Sequence, residues 1–132
     1  MSRENIALLE RAYEAFGAGD FEPFFAMLDE EFVYRARDEL PGGGAFVGPA
    51  AFRERIEALG DVFGEVRFEP QEFIDAGERV IVVLRQMARG RASGVTLEQS
   101  ISHVWLIREG RGIELRVYSG RDQALEAIGL RE

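Results

Sequence analysis

Cysteine is absent from these 132 residues, and histidine occurs once, at position 103. The first absence removes disulfide frameworks, thiol nucleophiles and zinc–thiolate sites. The second removes a histidine metal centre, because no second or third ligand stands at a recognisable spacing from His103. Basic residues are also few. Sixteen Lys and Arg against 24 Asp and Glu leave a net charge of −8, which argues against the basic face that nucleic-acid phosphates require. Arg108, Arg111 and Arg116 do gather in one stretch, but Glu109 and Glu114 interleave with them, as on a solvated mixed face. Long apolar runs are missing too. Val80–Leu84, which no other run exceeds, has the length of a strand and falls far short of the ~18 residues of a membrane span. The N-terminal MSRENIALLERAYEAF is amphipathic and acidic-rich, without the apolar core and cleavage site of a secretion signal, so a soluble cytoplasmic protein is expected.

What is present is enough for one core. An apolar content of 46% with ten Phe is too rich for disorder, and the length suits a single domain over residues 1–132. Ile6, Leu9, Tyr13 and Phe16 recur at helical spacing, with Ala12 and Ala15 widening the stripe. Gly17 and Gly19 end that helix, and Asp20 is placed to cap a second one carrying Phe24, Phe25 and Leu28. Phe32, Val33 and Tyr34 open a first strand, and the stretch from Asp38 to Gly44 reads as a loop. Gly48-Pro49 starts a third helix with Phe52, Ile56 and Leu59 on its buried face.

Strand patterns follow over Val66–Ile74, Arg79–Met87, Leu97–Ile107 and Ile113–Tyr118, then a short helix over Asp122–Ile128. Gly110 and Gly112 supply the positive φ expected of the last hairpin turn. Helices first and an antiparallel meander afterwards define an α+β class. Alternation puts Gln99, Ile101, His103, Trp105 and Ile107 on one face of their strand. On the returning strand it separates Glu114, Arg116 and Tyr118 from Ile113, Leu115 and Val117. Val80–Leu84 is apolar on both faces, so each face needs a cover, and a homodimer is expected to supply the second.

The segments YEAFGAGDFEPFFAMLDEEFVY and HVWLIREGRGIELRVYSGRDQALEAIGL, in this order and spacing, resemble the nuclear transport factor 2-like superfamily. Within it they resemble the SnoaL-like branch, which includes polyketide cyclases; ketosteroid isomerase and limonene epoxide hydrolase belong to the wider group. The resemblance covers about residues 4–130. It implies a cone of three N-terminal helices packed on a curved, mainly antiparallel sheet, with a short C-terminal helix. It also implies a pocket on the concave face and dimerisation through the convex one. The function implied is that of a pocket protein for a small apolar molecule, without a cofactor. Such a protein acts as an isomerase, cyclase or hydratase by proton transfer, or else as a non-catalytic binding or dimerisation module.

Alignment on ketosteroid isomerase puts His103, or Ser102, where that enzyme holds its oxyanion-hole aspartic acid. Arg116 and Tyr118 then fall on the cavity side, and Ile113, Leu115 and Val117 on the dimer side. Ala36 stands at the position of the base, with Asp38 two residues further at the cavity rim. Tyr13 looks like the oxyanion tyrosine but lies one residue past the matching Ala12, an offset of about 100° on a helix. No Asp-Arg-Asp set marks an epoxide hydrolase. The expected catalytic set is therefore His103, Asp38, Tyr118 and Arg116. His103 would move a proton or polarise a carbonyl, Arg116 would stabilise an enolate-like anion, and Tyr118 would donate a hydrogen bond. The competing reading of His103 is a hydrogen-bonded core histidine beside Trp105. Tyr13, Phe16, Tyr34, Phe52, Gln86 and Trp105 are expected to line the pocket.

Overall fold

The computed structural model describes residues 2–36, 44–62, 65–90 and 92–130. In chain order these form α1 (Ser2–Gly17), α2 (Glu22–Ala26), β1 (Leu28–Arg35), β2 (Ala45–Val47), α3 (Pro49–Val62) and β3 (Glu65–Ala76). Then follow β4 (Arg79–Arg89), β5 (Thr96–Arg108), β6 (Arg111–Tyr118) and α4 (Arg121–Ala127). The six strands make one curved sheet in the order β2-β1-β6-β5-β4-β3. Only β1 and β6 run parallel; the other pairs are antiparallel.

The inner face of this sheet meets α1, α2 and α3. Leu9, Ala12 and Tyr13 of α1 join Phe24, Phe52, Val80, Val82, Leu84, Trp105 and Leu115 in one buried cluster. The expected α1 stripe is therefore the packing face. Asp20, however, does not cap α2, whose N-cap is Phe21 with no side-chain bond. Its backbone N–H instead bonds the Ala15 carbonyl, while that of Gly19, at φ +86°, bonds Phe16. Those two bonds are a Schellman closure, so Asp20 ends α1 rather than starting α2.

The outer face also has a cover within the monomer. Helix α4 places Ala124 and Leu125 on Ile81 and Val104, with Ile74, Val83 and Tyr118 packed around them. This corrects the expectation that helices cover one face only.

The β5–β6 hairpin turns on Glu109 and Gly110, at φ +51° and +73°, the two left-handed positions of a type I′ turn. Gly112 is not a turn residue. A Cβ built on it would lie 3.0 Å from Cζ3 of Trp105 and 3.4 Å from Cδ2 of Leu28, so glycine here makes room for the indole. Gly112→Ala should destabilise the fold by about 1–3 kcal/mol through overpacking, because a fully buried ring has nowhere to retreat. Equal urea midpoints for the variant and the wild type would remove this account of Gly112.

A register shift follows directly after that turn. Ile107 pairs with Gly112, but Leu106 pairs with Glu114, leaving Ile113 as an extra residue on β6. From there outward Trp105 pairs with Leu115 and His103 with Val117.

Candidate functional site

The shift at Ile113 decides which side chains can share a site. Counted from a two-residue turn without a bulge, His103 would face Arg116. With it, Leu115 and Val117 join His103 on the inner face, and both pack in or against the core. Arg116 and Tyr118 pair with Val104 and Ser102 on the outer face. The cavity-side placement of Arg116 and Tyr118, and the dimer-side placement of Leu115 and Val117, are thus reversed. Alternation within each strand was sound; pairing the two strands needed the bulge.

On the outer face Arg116 finds the acid that its charge requires. Its Nε lies 2.8 Å from Glu114, whose carboxylate is also met by Arg35 at 2.9 Å and Arg79 at 3.6 Å. Burial works against the Glu114 charge, but hydrogen bonds from Arg35 and Arg116 outweigh it and hold the carboxyl below its usual range. Hydrogen bonds to Glu114 and Tyr118 in turn push the Arg116 guanidinium further up. Because Arg116 is over a third exposed, Arg116→Met should change stability by less than about 1 kcal/mol, checked by urea denaturation.

The inner face carries a different arrangement. The Tyr13 hydroxyl lies 2.6 Å from Nδ1 of His103 and accepts a hydrogen bond from Nε1 of Trp105 at 2.9 Å. All three side chains are buried, with His103 only 6% exposed. Desolvation pushes the His103 pKa down to about 3, so the imidazole is neutral at ordinary pH. Burial likewise pushes the Tyr13 phenol well up, against the smaller opposing effect of the Trp105 bond. Tyr13 therefore points inward despite its one-residue offset, and it bonds directly to the lone histidine.

Beside this triad runs a groove of about 610 Å³ between α1 and β3. Tyr13, Phe16, Phe68 and Phe73 give it an aromatic wall, and Glu10, Glu14, Arg67 and Glu69 also line it. Phe68 packs on the His103 ring at 5.9 Å, and Phe73 packs edge-on to Tyr13 at 6.3 Å. Phe68 and Phe73 are five positions apart, which strict alternation would put on opposite faces. A second bulge, between Pro70 and Glu72, brings both inward. Strict alternation along the sequence does not anticipate that pairing. Its signal was Pro70-Gln71 inside an otherwise regular strand.

Of the expected pocket residues, Tyr13 and Phe16 line this groove. Trp105 and Phe52 do not, being 0% and 2% exposed in the core, and Trp105 reaches the site only through Tyr13. Tyr34 stacks between Phe46 and Phe52, and Gln86 is held by Gln99 at 3.1 Å nearer the sheet end. Asp38, and with it most of the expected loop from Asp38 to Gly44, lies outside the described residues. Among the described residues no group of three His, Cys, Asp or Glu side chains is placed to hold a metal ion. Nor, among the described residues, is any helix long and apolar enough to cross a membrane.

Helices on a curved, mixed six-stranded sheet are the fold of nuclear transport factor 2-like and cystatin-like proteins. The model of the SnoaL-like domain matches residues 9–115, and the chain belongs to that family. An NTF2-like protein of unknown function from Burkholderia pseudomallei is similar over 95% of this chain and 97% of its own, at 23% identity and a TM-score of 0.80. TerC, crystallised with polyporic acid, is 23% identical over 93% and 95% of the two chains, with a TM-score of 0.78. A candidate SnoaL-like polyketide cyclase from a Jannaschia species is 16% identical over 89% and 85%, with a TM-score of 0.76. No curated protein matches the chain at a significant level.

Proposed function

We propose that this protein binds a small, largely apolar molecule against the aromatic wall of the α1–β3 groove, with His103 as the polar anchor behind it. The observation that carries this reading is a histidine more than nine-tenths buried, tied to Tyr13 through one nitrogen only. Its other nitrogen has no protein partner among the described residues and yet is not one of the fully buried unpaired side-chain atoms, so it keeps a narrow opening to its surroundings. Proton-transfer catalysis, as isomerase, cyclase or hydratase, is the second reading, favoured by the neutral state of that imidazole. Polyporic acid, the compound crystallised with TerC, is the first probe. At a concentration 100 times its Kd a ligand adds about 2.7 kcal/mol to stability, enough to raise the melting temperature by several degrees. Phe68→Ala should abolish that rise. A panel of polyporic acid and simpler quinones and enones that leaves the melting temperature unchanged at millimolar concentration would remove the reading.

The homodimer is carried forward with a different footprint. Leu115 is buried within the monomer, whereas Arg35, Arg79 and Arg116 converge on Glu114 on the outer face with side chains about a third to a half exposed. A pair formed there is charge-rich and should weaken with salt. Sedimentation giving monomer alone at both low and high salt would exclude it.

A further inference from the structure

We propose that Trp105 is a positioning residue whose indole N–H sets the direction of the Tyr13 hydroxyl and so fixes His103 as the Nε2–H tautomer, a neutral donor. The argument is an inventory of protons. An indole nitrogen only donates, so the 2.9 Å contact between Trp105 Nε1 and Tyr13 makes the phenol oxygen an acceptor there. The phenol's own proton then needs an acceptor. Among the described residues the one within reach is Nδ1 of His103, at 2.6 Å. Nδ1 must therefore be unprotonated, and a neutral imidazole with a bare Nδ1 carries its proton on Nε2. Burial of the ring keeps it neutral. Among the described residues no group accepts a hydrogen bond from that Nε2–H, and the atom is not one of the fully buried unpaired ones, so it keeps an opening in a side chain that is 6% exposed.

Without the indole donor this direction is lost. The Tyr13 oxygen could then accept from an Nδ1–H, leaving Nε2 with a lone pair. Trp105 thus selects between a donor and a base at a site it does not itself touch. The inference deepens the pocket reading above and names the ligand class: molecules presenting a carbonyl, quinone or enolate oxygen to a donor. A site in this tautomer polarises an oxygen; it does not abstract a proton through Nε2.

The chain has one histidine and one tryptophan, so their nitrogen resonances in a ¹⁵N-labelled sample need no assignment. Wild type should show the imidazole proton on Nε2, with Nδ1 unprotonated and hydrogen-bonded. Trp105→Phe should move the tautomer ratio toward Nδ1–H by about five- to tenfold, the worth of one neutral hydrogen bond. Should the smaller ring disturb the fold, benzothienylalanine at position 105 keeps the shape of the indole and lacks its N–H. The same shift is expected there. A proton on Nδ1 in the wild type, or an unchanged ratio in the benzothiophene protein, would overturn the proposal. The melting-temperature response to polyporic acid is read separately. A tautomer result as expected, with no thermal response, removes the pocket reading and leaves the role of Trp105 standing.

Discussion

Between pH 6.5 and 4.5 the wild type should lose about 2–3 kcal/mol more stability than His103→Asn does. The unfolded chain takes up a proton on His103 near pH 6.5, while in the folded state burial pushes that pKa down to about 3. A depressed folded pKa favours the unfolded state as the pH falls, by about 1.4 kcal/mol per unit throughout the window between the two values. Above pH 6.5 the residue makes stability independent of pH. Its neighbours Tyr13, Phe68, Val82 and Val117 supply no carboxylate to stabilise an imidazolium. Asparagine is the chosen replacement because its amide oxygen can accept from Tyr13 where Nδ1 did. The carboxylates titrate in both proteins and cancel in the comparison. Urea denaturation at half-unit pH steps checks the prediction, and parallel curves would mean that His103 gains a proton without cost, contrary to its burial.

Tyr13→Phe removes a single oxygen, yet it strands two buried groups, Nε1 of Trp105 and Nδ1 of His103. An unsatisfied buried polar group costs about 1–3 kcal/mol, so the expected loss is roughly 2–5 kcal/mol with no cavity formed. The same count predicts non-additivity. Trp105→Phe loses a donor with a partner in the wild type, but a donor already orphaned in the Tyr13→Phe background. A double-mutant cycle should therefore return a coupling of about 1–2 kcal/mol between positions 13 and 105. Additive losses would show that the two side chains do not share the bond.

Helices and strands were legible because their signals are local. The apolar stripe of α1, the proline at the start of α3 and the alternation through β4 and β5 each depend on a few neighbouring residues. Short β2 and the early start of β1 at Leu28 escaped notice, since three residues carry no period and β1 is continuous with the aromatic run of α2. The site was legible in part. Tyr13, Phe16, His103 and Trp105 were singled out as residues, but their roles depend on register, which is not local. Two inserted residues, Ile113 and Gln71, each exchange the faces of everything beyond them. Ile113 has no signal of its own and Gln71 only the proline before it, so alternation alone puts Arg116 and Tyr118 inside and leaves out Phe68 and Phe73.

Ile113 also makes the inner wall tolerant of a change in length. Deleting that one residue would remove the bulge and leave the pairing beyond it intact, with Trp105 opposite Leu115 and His103 opposite Val117. Flattening the bulge while keeping the residue would do the opposite and turn Arg116 toward His103. A single codon can thus be gained or lost at this point with the greasy wall unchanged, because the extra residue is set aside from the ladder. Relatives of this chain are therefore best aligned by which residue faces the lone histidine, with any gap placed next to the Glu109-Gly110 turn and not slid through the strand.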